Sequence, residues 1–437
     1  MDVVIRVFLL FSLFFTIALT PKAYGRLYID VTASSIRKLN IAIPDFLVLS
    51  GSRKRYKSIN RQFQEILGQD LNISGFFNIQ NKDLFIEKLS KTESILDINV
   101  DDWRIIGTAM LLRCGFHIAS SIMKVEMRLF DIIENKKILS KNYNGDIASG
   151  RLIAHMMAND IIERLTGKKG FFDYQIVFSR KTTPKSKEIY LMDSDGYGAK
   201  PLTSNGSLNL FPSVSTNGML IAYTSYRAYN PDLYLMDLKK GSIRKILAYP
   251  GINTTPAFLP SDKSLIVALS KDGNSELYQT DLTGKILKRL TFSPAEDISP
   301  SIAPDGKRVV FVSDRAGGLG LYILNIDSLD VKRLSTGMRY CADPCWSSEG
   351  NRIVFSSREK GSFDIYSIQI SGSGLLRHTF GEGRNEHPSI SPDSRIAAFD
   401  STRGGKRQIY LLNLRSGDVV KISRSSYNES QPFWRRR

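Results

Sequence analysis

Apolar and polar positions repeat along the C-terminal two thirds of the chain. The stretch SPSIAPDGKRVVFVSDRAGGLGLYILNID at 299–327 returns as HPSISPDSRIAAFDSTRGGKRQIYLLNLR at 387–415. A tyrosine after Ile or Leu and an anchor proline each recur every 44 residues, at Tyr190, Tyr234, Tyr278, Tyr322, Tyr366 and Tyr410, and at Pro212, Pro256, Pro300, Pro344, Pro388 and Pro432. Two ladders with one period of this size predict a β-propeller or a solenoid.

Each repeat contains four strand signals. In the unit that starts at Ser299, the predicted strands are 299–303, 308–313, 321–326 and 331–335. Pro304-Asp305-Gly306 separates the first two, because proline presets φ and glycine accepts a positive φ. The second strand is rich in valine and phenylalanine, which is typical of a buried strand. Four antiparallel strands per repeat make one propeller blade.

The two ends of the repeat array are complementary. Each anchor proline precedes its tyrosine by 22 residues, but Lys168 stands where the partner of Tyr190 would be, and the partner of Pro432 would fall beyond Arg437. The first unit therefore lacks an inner strand, and the C-terminal stretch QPFWRRR supplies one. We expect a ring of six blades closed by the C-terminal strand, because a linear solenoid would leave an open apolar edge.

Residues 26–168 carry no repeat and have a mixed pattern. Signals for helices and strands alternate, with strands at 38–46, 109–120 and 124–133 and helices at 58–72 and 148–167. In the second helix, Leu152, Met156 and Ile162 are predicted to face inward, and Gly167 to end it. The predicted fold is α+β with two domains, namely a small mixed α/β domain at 26–168 and a six-bladed propeller at 169–437.

The first 25 residues predict a signal peptide. The apolar run at 7–20 is shorter than the about 20 residues that span a bilayer. Small residues at Ala23 and Gly25 suit a signal peptidase, so cleavage is expected after Gly25. The alternative is an uncleaved anchor. We expect the mature protein to be soluble and exported.

Charge and cysteine content narrow the class of protein. The net charge is +17, but Lys and Arg are spread through every repeat, so a solvated surface is favoured over a nucleic-acid site. Of the three cysteines, Cys341 and Cys345 lie four apart, which leaves a disulfide between them open. A zinc pair is disfavoured, because no second pair or nearby histidine completes the site.

No catalytic centre is expected. The nucleophile motif G-x-S-x-G of peptidases with propellers is absent, and only His378 and His387 of four histidines lie in the ring, too few for a lyase-like metal site. Asp193, Asp237 and Asp281 recur at one repeat position, which indicates a turn hydrogen bond. We predict no catalytic residue, metal or cofactor; a small ligand in the pore stays open as an alternative.

The pattern PSxSPDGxxIxFxSxR, the stretch RLFD and the junction DIIERLTGKKGFF together resemble the TolB family of the Tol-Pal envelope system. The resemblance spans the mature chain. It implies a non-enzymatic, monomeric scaffold in the periplasm of a Gram-negative bacterium, which reaches membranes only through its partners. Those partners would be the lipoprotein Pal, bound by the propeller, and TolA, bound by the mature N-terminus, with other outer-membrane proteins as further candidates. The implied role is outer-membrane integrity and constriction during cell division.

The candidate partner sites follow from the loops and from the resemblance. The connections that lead into the anchor prolines vary, whereas the turns at the opposite end are uniform, and varied loops on a rigid scaffold are where binding concentrates. The resemblance places Pal contacts just before these prolines. The predicted Pal-binding residues are Ile252, Asn253, Thr254, Thr255, Asp297, Ile298, Tyr340, Ala342, Asn385, Glu386 and Asn428. The family often has histidine where this chain has Ile252.

The mature N-terminus RLYIDVT alternates apolar and polar residues, a pattern that suits either strand addition to a partner or an ordinary first strand. The resemblance favours a TolA-binding segment, although Arg26 departs from the acidic or small residue that is frequent there. The predicted TolA-binding residues are Arg26, Leu27, Tyr28, Ile29, Asp30, Val31 and Thr32.

Overall fold

The structure, a computed structural model, describes Ile29 and residues 38–50, 53–86, 94–334, 337–338, 340–359 and 361–437. The predicted signal peptide and every predicted TolA-binding residue except Ile29 lie outside these residues. Where it is described, the chain forms a small α/β domain followed by a six-bladed β-propeller, which confirms the predicted fold class.

The N-terminal domain is one mixed sheet with helices. Its strands are β1 (Leu39–Ala42), β2 (Leu47–Ser50), β3 (Phe77–Ile79), β4 (Met110–Ala119), β5 (Ile122–Asp131) and β6 (Lys136–Asp146). Its α-helices are α1 (Arg53–Ile73), α2 (Val100–Ile105) and α3 (Gly150–Thr166). The strand order is β3-β1-β4-β5-β6, and β2 pairs with β4. The predicted hairpin forms over ten paired positions of β4 and β5.

Helix α3 ends as predicted but its inward face is different. Gly167 has φ +73 and donates its N–H to the carbonyl of Glu163, as left-handed glycine caps do. The prediction was wrong for Met156, which is 42% exposed, and Leu152 is only half-buried. The buried face instead includes Ile153 and Met157, because the helix packs against α1, β6 and the propeller together.

Each propeller blade is an antiparallel sheet of four strands. Blade 1 consists of β30 (Glu429–Arg435), β7 (Gln175–Thr183), β8 (Ser186–Asp193) and β9 (Lys200–Pro201). Blade 2 consists of β10 (Asn209–Val214), β11 (Leu220–Ala228), β12 (Asn230–Asp237) and β13 (Ser242–Leu247). Blade 3 consists of β14 (Asn253–Phe258), β15 (Ser264–Leu269), β16 (Glu276–Asp281) and β17 (Ile286–Arg289).

The last three blades repeat this order. Blade 4 consists of β18 (Asp297–Ile302), β19 (Arg308–Ser313), β20 (Gly320–Asn325) and β21 (Val331–Arg333). Blade 5 consists of β22 (Cys341–Trp346), β23 (Arg352–Arg358), β24 (Phe363–Gln369) and β25 (Leu376–Arg377). Blade 6 consists of β26 (Asn385–Ile390), β27 (Ile396–Gly404), β28 (Lys406–Asn413) and β29 (Val419–Lys421).

The C-terminal strand closes the ring in the predicted way. Strand β30 pairs antiparallel with β7, from Glu429 opposite Arg180 to Arg435 opposite Gln175. The indole Nε1 of Trp434 donates to the carbonyl of Ser389 in blade 6 at 2.9 Å, so the strand also fastens the neighbouring blade. The first and last parts of the propeller sequence thus share one sheet.

The repeated acidic position serves the turns in blades 2 and 3, as predicted. In blade 1 the prediction was wrong, because the Asp193 carboxylate accepts a hydrogen bond from Gln175 Nε2 at 3.1 Å and pairs with Arg437. In blade 2 the Asp237 carboxylate accepts the N–H groups of Lys239 and Lys240, each at 3.0 Å. In blade 3 the Asp281 carboxylate accepts those of Thr283 and Lys285. These bonds satisfy backbone donors that a tight turn leaves unpaired.

Candidate functional site

The two ends of the blades differ in what they carry. We call turn face the end with the connections between strands one and two and between strands three and four of each blade. We call loop face the end with the connections between strands two and three and between one blade and the next. Alternation of antiparallel strands places each set at its own end.

The turn face is covered by the N-terminal domain at blades 5, 6 and 1. Lys168 Nζ lies 2.7 Å from Glu349 in blade 5, and Lys38 Nζ lies 3.0 Å from Asp418 in blade 6. One hydrophobic core runs through α1, α3, β4 and β5 into blades 6 and 1. In the described part of the chain, the loop face has no such cover, so it is the face open to a partner.

A buried charge network joins the domains at blade 1. Arg151 on α3 places Nη2 2.5 Å from the Asp195 carboxylate, and His155 Nδ1 lies 2.7 Å from Asp70. Burial raises the pKa of Asp70 to about 6, although His155 opposes that shift. A ring nitrogen of His155 and carboxylate oxygens of Asp193 and Asp195 lie within 4.8 Å of one another, a metal-like grouping. The Arg151 guanidinium already neutralises Asp195, so we assign these residues to the domain contact.

The residue before each anchor proline has a left-handed backbone. These six residues have φ between +46° and +58°, and they are Phe211, Thr255, Ser299, Asp343, His387 and Gln431. The strand register shifts at this point in every blade, so each inner strand carries a bulge. Positive φ is uncommon outside glycine, and bulges re-aim side chains. Because this conformation occurs at the same position in all six blades, it is a regular structural feature of the propeller.

The bulges point these six residues into the central channel. We call them the channel ring. Together with the anchor prolines they line a cavity of about 420 Å³ on the propeller axis. Nearer the turn face the same cavity is walled by apolar side chains such as Phe258, Trp346 and Trp434. The channel therefore has a ring of five polar residues and Phe211 on the loop side, followed by an apolar wall toward the turn face.

The ring carries one charged pair, which sequence reasoning did not single out. His387 Nδ1 lies 2.8 Å from Asp400, and its Nε2 lies 3.9 Å from Asp343 of the neighbouring blade. Burial by itself lowers the pKa of His387, but the carboxylates of Asp343 and Asp400 outweigh it and raise the pKa to about 9. His387 is therefore a cation at neutral pH. The signal available in the sequence was its place directly before an anchor proline.

Three of the predicted Pal-binding residues are buried, and each is the first residue of the inner strand of its blade. Asn253 donates Nδ2 to the carbonyl of Tyr249 at 2.7 Å and accepts the Tyr249 N–H. Asp297 accepts a two-pronged bond from Arg315, and Asn385 bonds Asp364 and Ser401. These three side chains are fully buried and anchor the loops, so any partner meets the loops that they hold.

The other predicted residues also lie on the loop face, and of these Thr255 lines the channel. Ile252 is 43% exposed and Asn428 is exposed, while Thr254, Thr255, Ile298, Tyr340 and Ala342 are half-buried. Glu386 is nearly buried between Arg384 and Arg407. In the described residues, the hydroxyl of Thr255 is buried without a hydrogen-bond partner. The structure thus places all eleven residues on the loop face, some with buried side chains and the others accessible to solvent.

Exposed aromatic side chains on the loop face were not predicted. Tyr229 is 99% exposed, Phe380 71%, Phe292 67% and Tyr427 51%. Phe292 and Phe380 each have an arginine over the ring, Arg289 at 4.8 Å from the centroid in the first case. Aromatic residues together with arginine are enriched in protein interfaces. For Phe292, Phe380 and Tyr427 the sequence signal was an aromatic residue in a variable loop before an anchor proline, whereas Tyr229 lies at the tip of the β11–β12 hairpin.

The cysteines carry no bridge. Cys341, Cys345 and Cys114 are free thiols. Cys341 and Cys345 belong to one extended strand, β22, so the chain between them does not turn back as a disulfide requires. Burial raises the pKa of the Cys345 thiol to about 11, which keeps it protonated. In the described residues, no helix is long and apolar enough to cross a bilayer.

Both parts of the chain match known family models. Residues 162–434 match the TolB beta propeller domain, and residues 27–138 match the TolB amino-terminal domain. The Tol-Pal system protein TolB of Desulfosudis oleivorans is 35% identical over 207 residues, and that of Geobacter sulfurreducens is 37% identical over 216 residues. These alignments cover 47% and 49% of this chain and the same shares of the two relatives, about half of each. The crystal structure of TolB from Acinetobacter baumannii superposes with a TM-score of 0.80 at 25% identity, covering 94% of this chain and all of that one.

Proposed function

The chain belongs to the TolB family, and from that membership we propose that it is a periplasmic scaffold of the Tol-Pal system and not an enzyme. It binds the Pal lipoprotein on the loop face of the propeller and TolA through residues 26–32. By linking the outer membrane to the inner-membrane complex, it serves envelope integrity and constriction during division. The observation that carries the proposal is the loop face, which is uncovered, aromatic and rigidly held.

The loop face has the composition of a protein-binding surface. Its exposed aromatic residues surround a channel mouth whose loops are fixed from beneath by buried polar side chains such as Asn253 and Asp297. Preorganised loops lose little conformational entropy on binding, which favours affinity. Thr255 belongs to the channel ring and Ile298 directly precedes Ser299 of that ring, and both are half-buried, so a docking element over the channel mouth is proposed to contact both.

The N-terminal segment begins from a held position. Ile29 is 4% exposed, and its N–H donates to the carbonyl of Leu165 on α3 at 3.0 Å. A segment that adds to the sheet edge of TolA must expose its backbone donors, so this contact has to open first. The proposal therefore predicts that TolA competes with the end of helix α3 for Ile29.

A second candidate function is binding of a small ligand in the channel. The cavity of about 420 Å³ and its polar ring support it. A pull-down from envelope extract, followed by mass spectrometry of proteins and of extracted small molecules, separates the two candidates.

The proposal is tested by changing the channel mouth. Thr255→Glu combined with Ile298→Glu places two charges in the interface, and each unpaired buried charge costs several kcal/mol, so Pal binding measured by calorimetry falls at least about a hundredfold. The matched control is Thr216→Glu combined with Leu287→Glu, two exposed positions away from the loop face. Unchanged Pal binding by a folded channel-mouth variant places the site elsewhere.

A further inference from the structure

Two neighbouring hairpins on the loop face carry lysines at or near their tips. The hairpin of blade 1, between β7 and β8, carries Lys181, Lys185 and Lys187, and that of blade 6, between β27 and β28, carries Lys406. In both blades the ladder continues to the tip, where Thr183 pairs with Ser186 and Gly404 with Lys406. In blades 3 and 4 the last paired residues of the corresponding strands are separated by a connection of six residues. The lysines therefore stand on ordered projections.

These four lysines, which we call the hairpin lysines, have no counter-ion in the part of the chain that the structure describes. Lys406 Nζ donates to the carbonyl of Ser426 at 2.9 Å, and Lys187 Nζ donates to the Ser430 hydroxyl at 3.3 Å. Several other cations of the loop face are paired: Lys271 lies 2.7 Å from Asp272, Arg315 2.7 Å from Asp297 and Arg403 3.2 Å from Glu382. Arg227 and Arg358 have no acidic partner among the described residues, but each lies over an aromatic ring. The hairpin lysines are distinguished by standing together without an acidic partner.

The arrangement of the lysines is electrostatically unfavourable in the isolated chain. Lys181 and Lys187 are direct cross-strand partners, and like charges opposite each other destabilise a sheet. Burial lowers the pKa of the Lys187 ammonium; Asp400 opposes this shift, while Arg407 and Lys181 add to it. An anion at this position would relieve both effects.

The hairpin lysines enclose part of the channel mouth. Asn428 accepts the N–H of Lys181 with its carbonyl and the N–H of Arg407 with its side-chain oxygen, so its loop is clamped between the two hairpins. The same loop presents Tyr427, which is 51% exposed. An acidic protein segment can pair with the lysines and pack on the Tyr427 ring at the same time, and aromatic residues are enriched in protein interfaces.

We propose that the hairpin lysines dock an acidic segment of the protein partner, beside the apolar part of the channel mouth. This rests on the proposed function for the place of the partner, but its chemistry follows from the lysines alone. Carboxylates of the segment would pair with the exposed lysines and approach Lys187 between the hairpins. Charged rims of this kind act mainly on association rate and on salt dependence.

The test compares two variants with the same change in charge. The hairpin variant replaces Lys181, Lys185, Lys187 and Lys406 by Gln. The matched control replaces Lys200, Lys239, Lys285 and Lys307 by Gln, four exposed lysines that also lack an ion-pair partner among the described residues. Thermal unfolding by circular dichroism verifies that both fold, and Lys181→Gln with Lys185→Gln and Lys406→Gln replaces the hairpin variant if Lys187 proves necessary for folding.

The first readout is the fluorescence anisotropy of a labelled oligoglutamate peptide. We expect the hairpin variant to bind it about tenfold more weakly than the parent at low salt, and the control less than about twofold more weakly. The difference should disappear near ~0.5 M salt, where screening is short-ranged. Equal losses in both variants would mean that the net charge alone binds the peptide, which overturns the proposal.

The second readout uses the soluble domain of Pal and keeps the two proposals apart. Pal that binds the parent and the hairpin variant equally overturns the acidic docking site while leaving the proposed function intact. Pal that binds neither, combined with a selective loss of oligoglutamate binding, supports the docking site and contradicts the proposed partner. Selective loss of binding to vesicles of phosphatidylethanolamine and phosphatidylglycerol, with oligoglutamate binding kept, would make the partner a lipid surface and overturn the inference.

Discussion

The turn face and the loop face are built from the same repeat and have opposite properties. On the turn face, aspartate side chains bond the backbone of their own turns, and the charges at the domain contact are paired and partly buried. On the loop face, aromatic side chains stand in solvent and four lysines lack a counter-ion within the described residues. The turn face meets the N-terminal domain through paired charges and a shared core, although single exposed lysines such as Lys239 and Lys307 stand there without an ion pair among the described residues. The loop face has exposed aromatic residues and a group of unpaired lysines together, which supports it as the place of partner binding beside the variability of its loops.

Both faces exist only in the closed propeller, so opening the ring should have the largest effect on stability. Deletion of Ser430–Arg437 takes away most of β30 and leaves an edge on β7. We expect the loss to be comparable to the whole stability of a domain, about 5–15 kcal/mol. Calorimetry should detect no cooperative transition at the parent temperature. A truncated chain that melts like the parent would contradict the closure scheme.

Arginine removal on the two faces should differ in cost. Arg151→Met on the turn side removes the 2.5 Å partner of the Asp195 carboxylate, which is 1% exposed, and leaves Arg424 as a more distant cation at 3.9 Å; breaking a buried pair costs about 3–5 kcal/mol. Arg384→Met on the loop face breaks a pair whose arginine is 55% exposed, which costs about 0–1 kcal/mol. Urea unfolding of both variants measures the contrast. Equal losses would show that the domain contact adds no stability beyond a surface pair.

The channel ring predicts a pH dependence on the loop side. His387 faces Asp343, Asp400 and Glu386, with Arg407 beyond them, and its folded pKa of about 9 lies above the ordinary value of 6.5. Since the folded pKa is the higher, its stabilisation is complete below about pH 6.5 and is lost as the pH rises through about 9. We expect the unfolding free energy to fall by on the order of 3 kcal/mol over that range.

The pH prediction has an internal control. His387→Gln should flatten this part of the stability curve. Burial, with Arg352 nearby, lowers the pKa of His378 to about 4, so His378→Gln should leave the slope above pH 6.5 unchanged. A slope that survives His387→Gln would assign the effect to other groups.

The smallest expected change in stability concerns the exposed aromatic residues. Phe292→Ser with Phe380→Ser should alter the unfolding free energy by less than about 0.5 kcal/mol per site, because both side chains are mostly in solvent. The same variant should weaken Pal binding by more than about 1 kcal/mol. Phe311→Ala, at a fully buried ring, should instead cost about 3–5 kcal/mol. A large loss of stability from the exposed pair would mean that these rings belong to the core.

Local patterns carried much of the fold. The predicted second strand 308–313 is Arg308–Ser313 in the structure, and the predicted helix 148–167 is Gly150–Thr166. Alternation and turn residues act over a few positions, so they can be read from the chain. The inward face of α3 could not, because that helix is packed on two sides by elements distant in sequence. As a result of that packing, Met156 is exposed and His155 is fully buried.

The sequence indicated where the candidate residues would lie but not which contacts they would make. Variable loops before anchor prolines pointed to the loop face, and the eleven predicted residues do lie there, while their role in binding stays a prediction. Their division into buried anchors such as Asn253 and open positions such as Ile252 depends on contacts with the neighbouring strands. The role of His387 depends on Asp343 in the preceding blade, 44 residues away.

By itself, the sequence determined the number of blades, their four strands and the closure by the C-terminal strand, because the repeat is a local pattern and its two incomplete ends complement each other. The tertiary structure alone decided which face is covered, how the channel ring points and which charges stay unpaired. Those properties come from residues brought together across long stretches of chain, such as Lys38 with Asp418 and Arg151 with Asp195. A pairing of that kind leaves no periodic trace in the sequence, since its free energy depends on burial and distance that exist only after folding.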